Sequence, residues 1–274
     1  MLYCNQREKK KKKHMEEKMK VNRFDEKLLK ESLEPLAIEV KVFDKIDSTN
    51  AEARRYAENG GHAPAVFIAE AQSAGRGRLG RSFYSPEGTG IYLSLLLPLE
   101  GELGDAVLMT SGAAVGVMRA IREVTGISVG IKWVNDLYFE GKKICGILAQ
   151  SFVCDSKRYA VLGVGVNLCT QDFPDELCGI AGSIGCGAEL KTRLAVRIVK
   201  ELYTVCSALP KVGFMDEYRA SSLVLGNAVT YTKNGETYGG VAESIDDHGR
   251  LYVRREDGEC AMLDSGEISL RIEK

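Results

Sequence analysis

Gly75-Arg76-Gly77-Arg78-Leu79-Gly80-Arg81 is the stretch on which the reading of this chain turns. Its glycines satisfy the dinucleotide-binding pattern G-x-G-x-x-G letter for letter, a pattern with meaning only where it follows a strand and opens a helix. Ala65-Val66-Phe67-Ile68-Ala69 upstream reads as a short strand. Downstream comes Ser82-Phe83-Tyr84-Ser85-Pro86-Glu87-Gly88-Thr89-Gly90, where a proline and two glycines exclude a helix. The segment is therefore expected to be a mobile glycine loop between two extended segments, carrying three guanidinium groups. Arginine's fixed fork of donors suits phosphate and carboxylate oxygens, and glycines let backbone N–H groups close over an anion. Anion binding is preferred here to a merely solvated basic loop.

The 274 residues suit one large domain, or one domain with a small second one. The formal charge is −1, but it is unevenly spread: residues 1–20 carry +5, which leaves −6 on the remainder. A mildly acidic body offers no general field for nucleic acid. The first twenty residues, with Lys9 through Lys13 in a row, are too polar to pack and are expected to form a disordered basic tail. No apolar stretch has the length of a membrane span, and no apolar core follows the lysines as in a signal peptide. The eight cysteines include no C-x-x-C pair, and His14, His62 and His248 lie beside none of them. Reduced, mostly buried thiols in a cytoplasmic protein are expected.

After a helical lead-in over 21–39, Val40–Phe43 reads as a first strand. A helix over Asn50–Glu58 follows, with Thr49-x-x-Glu52 at capping-box spacing and Asn59-Gly60-Gly61 as its stop. Val107, Ala114, Met118 and Ile121 recur at helical spacing within a longer helix over 104–124. The pattern then turns to strands at Val129–Val134, Leu137–Phe139, Ile144–Val153 and Tyr159–Leu168, whose short polar connections predict antiparallel neighbours. A further helix is predicted over 188–208, with Leu190, Leu194, Ile198, Leu202 and Val205 on one face. Beyond Ser221 come short strands, at Val229–Thr232, Tyr238–Ser244, Leu251–Arg254 and Ala261–Leu263. Asn234-Gly235, Asp247-His248-Gly249 and Asp257-Gly258 between them are hairpin signals, so a small barrel is expected.

Three segments together resemble the signature of the biotin protein ligases. They are Gln72-Ser73-Ala74 with the arginine loop through Arg81, Lys132-Trp133-Val134-Asn135-Asp136, and Lys143-Ile144-Cys145-Gly146-Ile147-Leu148. Asp47-Ser48-Thr49-Asn50 and Gly266-Glu267-Ile268-Ser269-Leu270-Arg271 also fit, and the likeness keeps the family's order over about residues 40–272. The resemblance implies an α+β fold: a class II aminoacyl-tRNA synthetase-like mixed sheet with flanking helices over 40–222, then a small SH3-like β-barrel over 223–274. It also implies the monofunctional type of ligase, since the residues before the first strand are too few for a winged helix-turn-helix. The implied reaction joins biotin to ATP as biotinyl-5'-AMP, with Mg²⁺. Biotin is then transferred to a lysine of a biotin carboxyl carrier protein or carboxylase carrier domain. No specific nucleic acid and no membrane partner are implied, and a homodimer is left open.

By that resemblance, Ser48, Thr49 and Gln72 recognise biotin's ureido ring, which needs both donors and acceptors, and Asn50 is placed with them as biotin-binding. Arg76, Gly77 and Arg78 lie on the biotinyl-adenylate, with loop N–H groups toward the carboxylate. Lys143 is set on the carboxylate and α-phosphate oxygens. Arg81, Lys132, Trp133, Asn135 and Asn167 serve the nucleotide. Asp136 orients Mg²⁺ or takes the proton of the attacking ammonium, which is unreactive until deprotonated. On their own, Asn135-Asp136 is also ordinary turn chemistry, Trp133 an ordinary core residue, Thr49 a helix cap and Lys143 a solvated hairpin-end lysine. Two departures stand out: Phe83 where many relatives have Trp, losing an indole donor, and Val134 where relatives commonly have Pro. Two rivals remain. A lipoate ligase shares the adenylation chemistry, but its dithiolane acid has no use for polar Ser48, Thr49 and Gln72. A non-catalytic nucleic-acid binder would rest on the lysine tail alone, which gives affinity without base readout.

Overall fold

The computed structural model describes residues 23–99, 106–233, 235–264 and 268–270. Helix α1 (Glu26–Leu33) leads into strand β1 (Glu39–Ile46), helix α2 (Thr49–Glu58), strands β2 (Ala65–Gln72) and β3 (Gly90–Leu99) and helix α3 (Ala106–Thr125). Strands β4 (Gly130–Lys132), β5 (Asp136–Phe139), β6 (Lys142–Cys154) and β7 (Lys157–Asn167) follow, then helices α4 (Lys191–Ser207) and α5 (Met215–Ala220). The chain ends in strands β8 (Ala228–Lys233), β9 (Glu236–Ile245), β10 (Leu251–Arg255), β11 (Cys260–Leu263) and β12 (Ile268–Leu270). Residues 1–20, and Gly266, Glu267 and Arg271 of the C-terminal motif, lie outside the described residues.

The first seven strands form one sheet in the order β1-β2-β3-β7-β6-β5-β4, with β1 parallel to β2 and every other neighbour antiparallel. The last five form a separate antiparallel sheet, β11-β10-β9-β8-β12. This is the expected α+β arrangement, a mixed sheet with flanking helices followed by a small all-β unit. The runs left unassigned as elements, β3, β12 and α5, complete it. β3 lies centrally between β2 and β7.

Alternation along the strands sets the two faces of the main sheet, since successive side chains point to opposite sides. Val66 and Ile68 of β2, Leu95 and Leu97 of β3, and Leu162 and Val164 of β7 join the large core beneath α3 and α4. The intervening Ala65, Phe67, Leu96 and Val161 pack with Ala53 and Ala57 of α2 on the other face. On that α2 face the side chains shrink along each strand: Leu96 gives way to Ser94, and Val161 to Gly163 and Gly165. The register sets Ser94 beside Gly163, and Gly163 and Gly165 beside Leu148 and Gly146 of β6. A packed core at one end of the sheet thus opens into a hollow at the other.

Helix α2 begins one residue differently from the expected cap. Ser48 is its extended N-cap residue and makes no side-chain cap bond. The Thr49 hydroxyl donates to Gln72 Oε1 at 3.1 Å, so the predicted capping box does not form. Glu52 accepts instead from Arg55 Nε at 2.8 Å, one turn along the same helix. Cysteine burial also departs from expectation. All seven described cysteines are free thiols, yet only Cys145 is fully buried, and Cys178 and Cys260 are exposed. Burial pushes the Cys145 thiol well above its usual range.

Two contacts tie distant parts of the chain to this frame. Glu70 of β2 and Lys191 of α4 form a buried ion pair beneath α1. Phe24 N donates to Glu70 Oε1 at 2.6 Å, and Lys191 Nζ sits 4.1 Å from the centre of the Phe24 ring. Burial holds the Lys191 ammonium below its usual range, against the pull of Glu70. At the other end, the β9–β10 hairpin presses its tip onto α3. Asp246 accepts from His248 N and Arg250 N at 3.0 and 2.9 Å, which folds the tip. Gly249 there has φ 76°, and a Cβ on it would meet Ser111 Oγ at 2.8 Å. Among the described residues no helix is long and apolar enough to cross a membrane.

Candidate active site

The hollow on the α2 face is a cavity of about 460 Å³, and all fourteen residues singled out from the sequence line it. The arginine loop forms its rim. Phe83 N donates to Gly75 O at 2.9 Å, Gly77 N to Arg81 O at 2.7 Å and Arg81 N to Arg78 O at 3.1 Å, closing the loop as a short turn-tipped ribbon. Leu79 and Gly80 turn that tip with φ 54° and 76°. No helix follows; the chain runs into β3, antiparallel to β2, so the dinucleotide reading is excluded as expected. One detail differs. The Gly77 N–H, expected among the groups facing a carboxylate, is already used by Arg81 O.

One end of the cavity is neutral and rich in hydrogen bonds. Ser48, Thr49 and Asn50 are buried at the start of α2. Thr49 N donates to Gln72 Oε1 at 2.9 Å, and Gln72 Nε2 donates to Ser85 Oγ at 2.9 Å. Asn50 Nδ2 donates to Gln150 Oε1 at 3.0 Å. Ser94, which sequence reasoning passed over, lies 2.7 Å from Thr49 Oγ1 and 2.6 Å from Asn50 Oδ1. Its signal was present in the sequence: it is the sole small hydroxyl residue in the apolar run Ile91-Tyr92-Leu93-Ser94-Leu95-Leu96-Leu97. Gly163 is required beside it, because a Cβ there would overlap Asn50 Oδ1. Likewise a Cβ on Gly165 would overlap the Phe83 ring, which lies across the bare backbone of β7. Phe83 thus keeps an apolar wall without the indole donor.

The other end is cationic. Arg76, Arg78, Arg81, Lys132 and Lys143 line the cavity, against Asp136 as the only lining carboxylate among the described residues. Arg78 Nη1 donates to Asn135 Oδ1 at 3.0 Å, pinning the arginine loop to the turn between β4 and β5. Asn135 is itself fixed, its Nδ2 donating to Ile147 O at 2.9 Å and its carbonyl accepting from Ile147 N at 3.0 Å. Lys143 Nζ forms an ion pair with Asp136 Oδ1 at 2.6 Å, and among the described residues Asp136 Oδ1 has no hydrogen-bond partner. Lys132 Nζ stands 5.4 Å from the centre of the Tyr138 ring. Burial pushes the Tyr138 phenol up to about 12. Trp133 is buried and its indole N–H donates to Gly249 O at 2.8 Å, so it is both core and cavity wall. The peptide between Trp133 and Val134 is cis, and the Val134 carbonyl accepts from Tyr218 Oη at 3.0 Å.

The segment after β7 supplies a wall that no motif announced. Phe173, Leu177, Ile180 and Ala181 line the cavity there. Lys143 N donates to Ile180 O, and Gly182 N to Lys143 O, both at 2.9 Å. Asn167 Nδ2 donates to Gly182 O at 3.0 Å. One short stretch therefore holds both the lysine and the asparagine. Among the described residues Asn167 Oδ1, which is buried, has no hydrogen-bond partner. Ile268 of β12 reaches the same cavity from the second sheet.

Comparison with known proteins gives this geometry a family. A model described as the biotin/lipoate A/B protein ligase family matches residues 42–167, and one described as the biotin protein ligase C-terminal domain matches 224–271. The chain is 34% identical over 227 residues to the bifunctional ligase/repressor BirA of Bacillus subtilis, covering 78% of this chain and 69% of that protein. It is 31% identical over 243 residues to the biotin–[acetyl-CoA-carboxylase] ligase of Mycobacterium tuberculosis, covering 84% and 88%. Among solved structures it is similar to the biotin protein ligase from Aquifex aeolicus in complex with biotin and ATP. That similarity has a TM-score of 0.72 and 25% identity, over 86% of this chain and 99% of that one. The chain belongs to the biotin protein ligase family.

Proposed function

We propose that the protein activates biotin with ATP to biotinyl-5'-AMP, releasing pyrophosphate. It then transfers the biotinyl group to a lysine of a biotin carboxyl carrier protein or carboxylase carrier domain, releasing AMP. The observation that carries this reading is the meeting, in one cavity, of a neutral end built for hydrogen bonds and an end with five cations. Biotin has that polarity: an uncharged ureido ring at one end and a carboxylate at the other. Its carboxylate must approach a polyphosphate, so the barrier to the first step is largely charge repulsion in a site with little water. Lys143, Arg76 and Arg78 are assigned to the carboxylate and α-phosphate oxygens, where their charge offsets that repulsion. Arg81 and Lys132 serve the remaining phosphates. Asn135 and Asn167 address the nucleoside, an assignment supported by the unmet Asn167 Oδ1, which can accept from an amino group.

Asp136, beside Lys143, holds that ammonium in place and is the lining carboxylate available to take the proton of the attacking lysine. Among the described residues no group of three or more His, Cys, Asp or Glu could cage a metal. Mg²⁺ needs no such cage, since it takes most of its ligands from phosphate oxygens and water, so Asp136 with the nucleotide fits it. When bound, the ion would supply further neutralisation of the phosphates. Residues 40–222 are assigned to catalysis and 223–274 to a small C-terminal domain that closes the cavity through Ile268.

A lipoyl or octanoyl substrate would leave the polar groups of Ser48, Thr49, Asn50 and Gln72 facing an apolar dithiolane or alkyl chain, at a cost for every donor left unmet. The test is ATP–pyrophosphate exchange with each acid in turn. Exchange is expected with biotin and Mg²⁺. Exchange driven by lipoate or octanoate and absent with biotin would overturn the reading.

A further inference from the structure

Ser94 sits at 0% exposure in the middle of β3, on a strand whose neighbouring side chains are apolar. A buried hydroxyl in such a place costs stability unless it is bonded. Its two partners, Thr49 Oγ1 at 2.7 Å and Asn50 Oδ1 at 2.6 Å, both belong to residues that line the neutral end of the cavity. Ser94 does not line the cavity itself.

The hydrogens decide what this arrangement can do. A serine hydroxyl carries one proton, whereas both neighbouring oxygens stand within donor distance. Asn50 Oδ1 carries no hydrogen and is fixed as the acceptor, because Asn50 Nδ2 is turned to Gln150 Oε1 and to Leu148 O. The Ser94 hydroxyl is therefore the donor that meets Asn50 Oδ1, and it stands between that oxygen and Thr49 Oγ1. Thr49 donates in turn to Gln72 Oε1 at 3.1 Å, which also receives Thr49 N at 2.9 Å. Ser94 thus ties together two side chains of the neutral end from behind.

We infer that Ser94 is a positioning residue for substrate recognition. By hydrogen-bonding the Asn50 amide oxygen and the Thr49 hydroxyl oxygen, it holds both groups in the orientation that matches the N–H and C=O groups of the substrate's polar ring. This inference rests on the reading of biotin as the substrate. Gly163, the cross-strand partner of Ser94, completes the device by leaving room for the Asn50 amide.

The experiment is Ser94→Ala in the full chain, followed by ATP–pyrophosphate exchange at varied biotin and varied ATP. The variant is expected to raise the KM for biotin about tenfold, the worth of one lost buried hydrogen bond. Its kcat and its KM for ATP are expected to stay within about twofold. Ser94→Cys, which keeps the shape and a weak donor, is expected to fall between the two. It carries the test if the alanine variant fails to fold. Desthiobiotin, which keeps the ureido ring, is expected to lose affinity in the same proportion as biotin. An unchanged KM for biotin in the folded variant would overturn the inference. So would a parallel change in kcat and both KM values, which is the mark of a merely structural role. Failure of the wild-type protein to show biotin-dependent exchange would instead remove the substrate reading, independently of Ser94.

Discussion

Arg78 and Lys143 carry similar charges but are held in different ways. Arg78 comes from the tip of the glycine ribbon and reaches across to Asn135, so its guanidinium fastens the rim of the cavity to the floor. Lys143 is the second residue of β6 and is fixed on both sides, through Ile180 and Gly182. Replacing Arg78 by Gly removes a charge-assisted contact of about 1.5–3 kcal/mol and loosens the ribbon. Adenylate is expected still to form but to escape faster, by roughly ten- to a hundredfold. Lys143→Ala is expected to slow adenylate formation itself, because its charge is needed while negative oxygens converge. Single-turnover formation and the adenylate off-rate separate the two effects; unaltered release from the Arg78 variant would remove the retention role. At this scale the arginine loop was legible because charge and glycine coincide there, and the other marked residues came from the family resemblance; all fourteen line one cavity. Ser94 escaped because its meaning depends on which face of β3 it occupies. The Glu70–Lys191 pair escaped because its partners are 121 residues apart.

Helix α2 carries the neutral end of the cavity, and its start is held from outside by a bidentate contact. Arg55 donates from Nη1 to Asp47 Oδ2 at 2.8 Å and from Nη2 to Asp47 Oδ1 at 2.7 Å. Asp47 O in turn accepts from Ala74 N at 2.8 Å, which links the helix start to the arginine loop. The Arg55 guanidinium beside Asp47 holds its carboxyl well below the ordinary value of 3.8. A depressed folded pKa means that the unfolded chain takes up the proton first as pH falls. The contribution of Asp47 is therefore complete above about pH 4 and declines below the ordinary value. The pair is half exposed, so the effect should stay under about 1 kcal/mol. Asp47→Asn is expected to lower stability slightly at neutral pH and to flatten its fall below pH 4, as read by denaturant unfolding at stepped pH. An acid limb identical to wild type would show that Asp47 contributes nothing. Element type was mostly readable from periodicity, but the cap was not. Thr49 has the right chemistry for a cap, and only the approach of Gln72, 23 residues away, takes its hydroxyl elsewhere.

Across the whole molecule, the second sheet belongs to the site as much as the first. Ile268 lines the cavity, Gly249 O holds the Trp133 indole, and residues 221–223 run beside β4, with Ile131 N donating to Ser221 O at 2.8 Å. Hairpin signals in the sequence foretold the small sheet because turn chemistry is local. Its docking was not foretold, since that depends on a glycine tip meeting α3 across more than a hundred residues of chain. Nor was the wall at 173–181, an irregular segment with no periodicity to read. Together these parts enclose a cavity with a neutral end, a cationic end and a rim that a protein lysine must reach. The central claim is that the enclosure builds an amide between biotin and that lysine. It is tested most directly by incubating the purified chain with biotin, ATP, Mg²⁺ and a biotin carboxyl carrier domain, and weighing the carrier. A gain of one biotinyl group on a single lysine, dependent on both ATP and biotin, is the predicted result. A carrier of unchanged mass, or one modified only when lipoate or octanoate replaces biotin, would contradict the account.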